Sequence, residues 1–409
     1  MLGHDLRVVN PEPAEHRARH VAALDAWRRR SPEEQWLAIN GDDAPFLPRP
    51  DSAGGRVRVG LLCPCLGLGG AEAWQLALAR AVDPEAVLWR GAVVTDGRRG
   101  VAPAMLGPLA ATMPVGFGLH AAQALARSVD VLVSWSVLDH RALMRGLADP
   151  PRVVLACHFP GERPWTAAAE ALLGRVDRRV AVSELALDSL PEALRPATRV
   201  IWNAVDPARL RSTRDPAATR AGWGLPPDAR VAGFLGRLAA EKGPGAMLRL
   251  AEALPPPWHV VLVGDGRERP RLEAEIERLR LDRVRLIPGT AAVGDALAAF
   301  DALIVPSRFE SFGLTLAEGL WAGVPGGAPP VGVARIIPGL VRSVPLDPAG
   351  AELARAVLLD HEHDRAGRAG RVEHAQAFVR DRLGMARFGR EWTDLLVDVG
   401  RSGGRGEAS

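Results

Sequence analysis

The sequence predicts an α/β protein of two doubly wound parallel-sheet domains that face each other across a cleft, with an N-terminal helical extension. Three observations predict it. The 409 residues suffice for two or three domains, each able to bury a core. From Arg56 onward, short apolar runs alternate with segments of helical period, the pattern of βα units in a parallel sheet. The alternation restarts, more regularly, after the polar, proline-punctuated stretch Pro207 to Asp228.

Residues 1–55 read as an extension and linker, with a helical segment from Glu12 to Trp36 and a Pro/Gly/Asp-rich connector after Gly41. Its arginines are diluted by Glu12, Glu15, Asp25, Glu33 and Glu34, which favours a solvated face over a docking surface for a lipid or a partner. A first domain then spans 56–206. Its strands are expected at Val57–Leu62, Val87–Thr95, Val129–Ser134, Val153–Cys157 and Arg179–Val182. Its helices are expected from the Gly-rich turn to Val82, and at His120–Arg127, His140–Leu147 and Trp165–Leu173. The second domain spans 207–370, with strands expected at Val231–Leu235, His259–Val263, Val284–Ile287 and Ala302–Val305. Its helices are expected at Gly245–Leu254, Arg269–Leu281, Gly294–Ala299, Gly313–Ala322 and Glu352–Leu359. One long helix, Glu373 to Val399, is placed to cross back and brace the first domain within 371–400, and 401–409 reads as a disordered tail.

Composition narrows the function classes. Fifty-one basic against 48 acidic residues leave a net charge of +3, too little to argue for nucleic acid. Three cysteines, Cys63, Cys65 and Cys157, are too few for a disulfide framework and lack zinc-type spacing, so they read as buried strand residues. No apolar run reaches the ~18 residues of a membrane span, and the first residues lack the apolar core of a signal peptide. A cytoplasmic protein is expected, with peripheral membrane contact left open. Lys242 is the sole lysine among many arginines, which singles it out.

The chemistry gathers at strand ends. After the strand Ala302–Val305, Glu310 falls in the turn and Glu318 in the helix that follows. Between them lie Ser311, Gly313 and Thr315, whose amides would point outward from a helix N-terminus, where an anion is favoured. Taken singly, each glutamate could equally be an ordinary helix carboxylate. Together they offer carboxylates for hydroxyls and amides for phosphate, a set that suits a sugar nucleotide. Arg237 and Lys242 flank the first strand-to-helix turn of the second domain, where a guanidinium and an ammonium can neutralise a diphosphate. The alternative is two surface cations with Glu241 as counterion. In the turn Gly67 to Glu72, Gly69 and Gly70 allow close backbone approach to a phosphate, although the spacing is not that of a dinucleotide fingerprint. Gly264, in Gly264-Asp265-Gly266, reads as a structural turn that could also line a nucleotide pocket. His158, at the carboxyl end of a strand, is either a hydrogen-bonding group on the ligand rim or a satisfied structural histidine.

GLGGAE, His158, AVSE, IWNAVD, FLGRLAAEKG, LVGDG and ESFGLTLAE occur in this order. The chain thereby resembles the retaining nucleotide-sugar glycosyltransferases of family 4, over roughly residues 56 to 395. The resemblance implies the GT-B architecture of two Rossmann-like domains, and sugar transfer from a nucleotide sugar without an Asp-x-Asp metal site or other cofactor. It implies that Arg237 and Lys242 hold the diphosphate, with support from the amides of Phe312 to Thr315 and from Gly69 and Gly70 opposite. Glu310 would contact the donor sugar, Glu318 the ribose, and His158 the sugar near its reacting carbon. The acceptor is left open as a glycan, a lipid-linked molecule or a small molecule. One segment departs from the family: Gly323 to Arg335 has Gly326, Gly327, Pro329 and Pro330 where a β-branched strand is usual, and arginine near an expected glutamate. Such a strand should pair poorly. The departure motivates a non-catalytic scaffold as the rival reading, beside a nucleotide-sugar epimerase.

Overall fold

The computed structural model describes residues 55–96, 101–135, 140–158, 165–337, 339–345, 349–359 and 365–402. The expected helix at Glu12–Trp36 and most of the expected tail lie outside them.

The first sheet forms where the apolar runs are densest. It comprises β1 (Val57–Cys63), β2 (Val87–Val94), β3 (Val115–Phe117), β4 (Val131–Ser134), β5 (Arg152–Cys157), β6 (Arg178–Ala181) and β7 (Thr198–Val200). Their spatial order is β3-β2-β1-β4-β5-β6-β7, and every pair is parallel. The second sheet comprises β8 (Arg230–Leu235), β9 (Trp258–Val263), β10 (Val284–Ile287), β11 (Ala302–Ile304), β12 (Gly326–Ala328) and β13 (Arg342–Ser343), in the order β10-β9-β8-β11-β12-β13. It too is parallel throughout. Both sheets reverse their winding beside the first strand, between β1 and β4 and between β8 and β11, and the crevice outside such a switch point is where open α/β sheets bind ligands. The fold is therefore two Rossmann-like domains. Among the described residues no helix is long and apolar enough to cross a membrane.

Three expectations need correction. The strand around Gly326 and Gly327 pairs on both sides, with β11 through Leu303 and Ile304 and with β13 through Arg342 and Ser343. Its glycines are what let neighbours close in: a Cβ on Gly326 would lie 3.0 Å from Leu316 and 3.1 Å from Val341, and one on Gly327 3.2 Å from Ile304. The prolines fall just past the strand, where they cost no ladder bond. The long terminal helix is two helices, Arg365–Arg382 and Met385–Arg401. The break serves the domain crossing. Ala375, Val379 and Leu383 pack in the second domain's core, whereas Phe388, Trp392 and Leu396 pack in the first's. Extended Gly384 turns the chain between them, and the Leu383 carbonyl accepts from Val205 N at 2.9 Å. Shorter elements were not expected from the sequence: β3, β7 and the helices Pro103–Ala110, Glu184–Asp188 and Pro216–Gly222 are each too brief to show a period. Cys63 and Cys157 are buried strand residues as expected, but Cys65 is half-buried in the turn after β1, its thiol directed at Glu72.

The helix Gly70–Ala81 (α1) follows β1, and Met385–Arg401 lies across it. Trp392 is fully buried, with its ring centroid 5.5 Å from Trp74 of α1 and 6.2 Å from Phe388. The helices approach closely because a Cβ on Gly389 would collide with the Ala81 carbonyl. Trp392→Ala is expected to destabilise the protein by about 3–5 kcal/mol, read from urea denaturation, because it empties this contact.

Candidate functional site

The site is built on two interlocked turns at the carboxyl edge of the second sheet. The first follows β8. It runs through Arg237 and a short 3-10 turn, Ala240–Lys242, closed by Gly243 in the left-handed region at φ 64°. The second follows β11 and enters the helix Leu314–Trp321 (α2) through Gly313, at φ 83°. Both glycines are needed for backbone conformation. Gly243 is needed for contact as well, since a Cβ there would collide with the Pro306 carbonyl. Arg308 N donates to the Glu241 carbonyl at 2.9 Å and completes the interlock.

The lock sets the charged groups. Lys242 Nζ lies 2.7 Å from Glu310 Oε2, and Ser307, 1 % exposed, donates from Oγ to Glu310 Oε1 at 2.9 Å. Both oxygens of Glu310 are thus held just ahead of the α2 N-terminus. Phe312, buried in the core, anchors the turn from below, and its carbonyl accepts from Val333 N at 2.7 Å. The Gly332 backbone closes against Phe312 and the Glu310 Cβ, so the unusual 323–335 segment supports the turn it follows. Arg335 is exposed. Glu318, one turn into α2, is 3 % exposed and accepts at Oε1 from Arg209 Nε at 3.0 Å.

Arg237 is not drawn into this cluster. Its guanidinium, 64 % exposed, donates to Glu241 at 3.0 Å, the surface pairing foreseen as the alternative. Gly264 packs against the Gly236 backbone, where a Cβ would collide with the carbonyl oxygen. Asp265 next to it binds Arg269 Nε at 3.0 Å and Gly289 N at 2.6 Å, so the turn is braced from within.

The first domain supplies the opposite wall. Gly70 opens α1, and a Cβ on it would stand 3.8 Å from the Leu314 Cβ, so the N-termini of α1 and α2 face each other. Gly69 is the extended residue before α1, and a Cβ there would require the Glu72 carboxylate to move aside. Thr315 follows Leu314 in the first turn of α2. His158 follows β5, its ring edge-on to Trp74 at 4.9 Å and to Trp135 at 6.3 Å. The residue is half-buried, yet its Nε2 is enclosed without a hydrogen-bond partner. Burial holds the imidazole well below its usual value, at about 3, so at neutral pH the ring is uncharged. Burial also pushes Cys157 up to about 12 and, reinforced by Glu72, Cys65 to about 11, so both remain thiols.

Ser311, the residue after Glu310, bridges the domains. Its Oγ donates to the His158 carbonyl at 3.0 Å, and its own carbonyl accepts from the Ser183 hydroxyl, which also N-caps the helix Glu184–Asp188. The structure therefore brings Lys242, Glu310, Gly313, Leu314 and Gly70 to one place, with His158 tied in through Ser311. Sequence reasoning passed over Arg209, Ser183 and Ser307. Ser183 stands in the AVSE motif, but its partner and that of Arg209 lie far along the chain, and Ser307 lies in a turn without a period.

Residues 216–326 match the family model described as glycosyl transferases group 1, and the fold is the GT-B arrangement of two facing Rossmann-like domains. The chain is 32% identical over 265 residues to a D-inositol 3-phosphate glycosyltransferase of Saccharomonospora viridis, covering 59% of either chain. The chain thus spans less than two thirds of that relative. It is 28% identical over 398 residues to the 2-deoxystreptamine N-acetyl-D-glucosaminyltransferase of Streptomyces fradiae, covering 88% of this chain and 86% of the relative. Among solved structures, Anabaena HepE in complex with UDP and glucose superposes with a TM-score of 0.70 at 20% identity, over 83% of this chain and 99% of that one. Sucrose-phosphate synthase from Thermosynechococcus elongatus does so at 0.65 and 18%, over 85% and 100%.

The buried imidazole makes a pH prediction. His158 titrates near 3 when folded and near 6.5 when unfolded, so between these values the unfolded chain binds more protons. Its contribution is complete above pH 6.5 and is lost as pH falls toward 3, at up to about 1.4 kcal/mol per pH unit. Urea midpoints of the wild type should fall faster between pH 6.5 and 4.5 than those of His158→Gln. Parallel profiles would show that the ring is not held neutral.

Proposed function

We propose that the protein is a retaining glycosyltransferase of family 4 that moves a sugar from a nucleoside diphosphate sugar to an acceptor hydroxyl. One observation carries the reading. Lys242 and Glu310 are paired at the N-terminus of α2, opposite the N-terminus of α1, with Gly70 between the two. Two positive helix ends and an ammonium converge where a diphosphate would lie.

The chemistry follows from the groups present. The amides of Gly313, Leu314 and Thr315 and the Lys242 ammonium bind the diphosphate, and Arg237, free to swing in from the rim, adds a guanidinium. When Lys242 turns to phosphate, Glu310 is released to accept from hydroxyls of the donor sugar, with Ser307 holding its second oxygen. Glu318 accepts from the ribose. The bond between the anomeric carbon and the diphosphate oxygen breaks, and the charge left on that oxygen is met by Lys242 and the helix amides. The acceptor oxygen bonds to the anomeric carbon on the same face, and its proton passes to the departing phosphate oxygen. His158, uncharged, stands at the rim beside the sugar without adding a competing positive charge. Gly69 keeps the first-domain turn free of side chains near the diphosphate.

The relatives support particular probes. One structural neighbour is described with UDP and glucose, and two sequence relatives are named for an inositol phosphate and for 2-deoxystreptamine. A uridine nucleotide as donor carrier and a small polyhydroxylated acceptor are the reading they support. The scaffold alternative took its motive from 323–335, and that motive weakens because β12 is paired on both sides.

The test begins with calorimetric binding of UDP, GDP, ADP and TDP. One of them should bind the wild type, and Lys242→Ala should bind it at least tenfold more weakly, about 1.4 kcal/mol or more. Glu310→Gln should keep that binding while transfer from the matching sugar nucleotide to D-inositol 3-phosphate or 2-deoxystreptamine falls by roughly 10²-fold or more. Full turnover by Glu310→Gln, or no nucleotide bound by the wild type, would overturn the proposal.

A further inference from the structure

We infer that Arg209 is a positioning residue for the donor nucleotide: it holds the buried Glu318 carboxylate so that one oxygen is presented to the ribose hydroxyls. The inference rests on the functional reading above, in which Glu318 meets the ribose. Arg209 lies in a short 3-10 helix, Pro207–Leu210, at the point where the chain crosses between domains. Its Nε donates to Glu318 Oε1 at 3.0 Å, and the two side chains are 18 % and 3 % exposed. Glu318 Oε2 receives no donor from the described residues. A carboxylate this deeply enclosed is stable only beside a cation or strong donors, and Arg209 supplies both to one oxygen. The other remains an acceptor. A bound ribose can therefore engage Glu318 without displacing its counterion.

The crossing segment makes Arg209 a fixed support. Asp206 caps the 3-10 helix by accepting from Ala208 N at 2.9 Å, and its second oxygen lies 2.7 Å from Arg80 in the last turn of α1. Arg209 thus hangs from a segment pinned to the helix whose other end is Gly70. The same segment packs on the helix Val293–Ala298, where a Cβ on Gly294 would collide with the Leu210 carbonyl, so the guanidinium is braced within the domain that carries Glu318.

A merely structural ion pair predicts something different, and ribose discrimination separates the two. UDP and 2′,3′-dideoxyuridine diphosphate, or the corresponding pair for whichever base the wild type selects, differ only in the hydroxyls that Glu318 would accept. The wild type should prefer the ribose form by about tenfold or more. In Arg209→Met the preference should collapse to within about twofold, as in Glu318→Gln, and the double variant should lose nothing further. Arg209→Lys keeps the positive charge that the fold needs but not the planar guanidinium, and its preference should fall at least about threefold. If Arg209→Met proves unstable, that variant decides the matter. Equal weakening of both nucleotides with the ratio unchanged, in either Arg209 variant, would overturn the inference and leave the functional reading standing. A wild type that binds UDP but shows no ribose preference would overturn the inference together with the ribose contact given to Glu318, and leave the sugar-transfer reading standing. A wild type that binds none of the four diphosphates would overturn both.

Discussion

The packing of one turn upon another is the constraint on which the site depends. Gly243 has no side chain, so the Lys242 turn can lie on the Pro306 carbonyl, and Arg308 N then reaches the Glu241 carbonyl. With the turns interlocked, the ammonium and carboxylate meet at 2.7 Å without either side chain having to search for the other. Both groups are partly shielded from water, which makes their attraction stronger than that of an exposed pair. The pair is also exchangeable. An anion arriving at the α2 N-terminus competes for Lys242, and the same event frees Glu310.

Around this centre, the domains are joined by contacts that favour one relative placement. The crossing segment from Ile201 to Leu210 is held by Arg387, which donates to the Trp202 carbonyl at 2.6 Å, and by the Arg80–Asp206 pair. The terminal helices repeat the crossing in reverse, with apolar faces assigned to different cores on either side of Gly384. Ser311 adds a polar clasp next to Glu310 itself. His158 is placed by its carbonyl, held by Ser311, and by a ring held against Trp74 and Trp135. The tryptophan that orients His158 also packs against Trp392, so the returning helix supports the rim of the cleft.

Much of this was legible in residue order. β10 spans Val284–Ile287 as expected, and β8, β9 and β11 differ from expectation by a residue at an end, because buried parallel strands read as continuous apolar runs. Lys242 and Glu310 could be brought to one rim because strand ends in a parallel sheet share an edge. Arg237 belongs to that edge too, but its long, exposed side chain takes the partner four residues away. The Gly326 strand ran against propensity, since the deciding factor was the room that Leu316 and Val341 leave for a backbone.

By itself, then, the sequence determined the two alternating halves, the longer strands of each to within a residue or two, and the residue types available at their ends. These are properties of local period and composition, and they survive whatever the distant chain does. The tertiary structure alone decided that Arg209 meets Glu318 across 109 residues, that Ser311 meets Ser183 across 128 and His158 across 153, and that the last helix breaks at Gly384. The serine contacts and the helix break depend on which surfaces two domains turn toward each other, and the Arg209–Glu318 pair on how distant segments of the second domain pack together. No periodicity within either segment carries that information, because the energy that selects the pairing comes from burying both partners together.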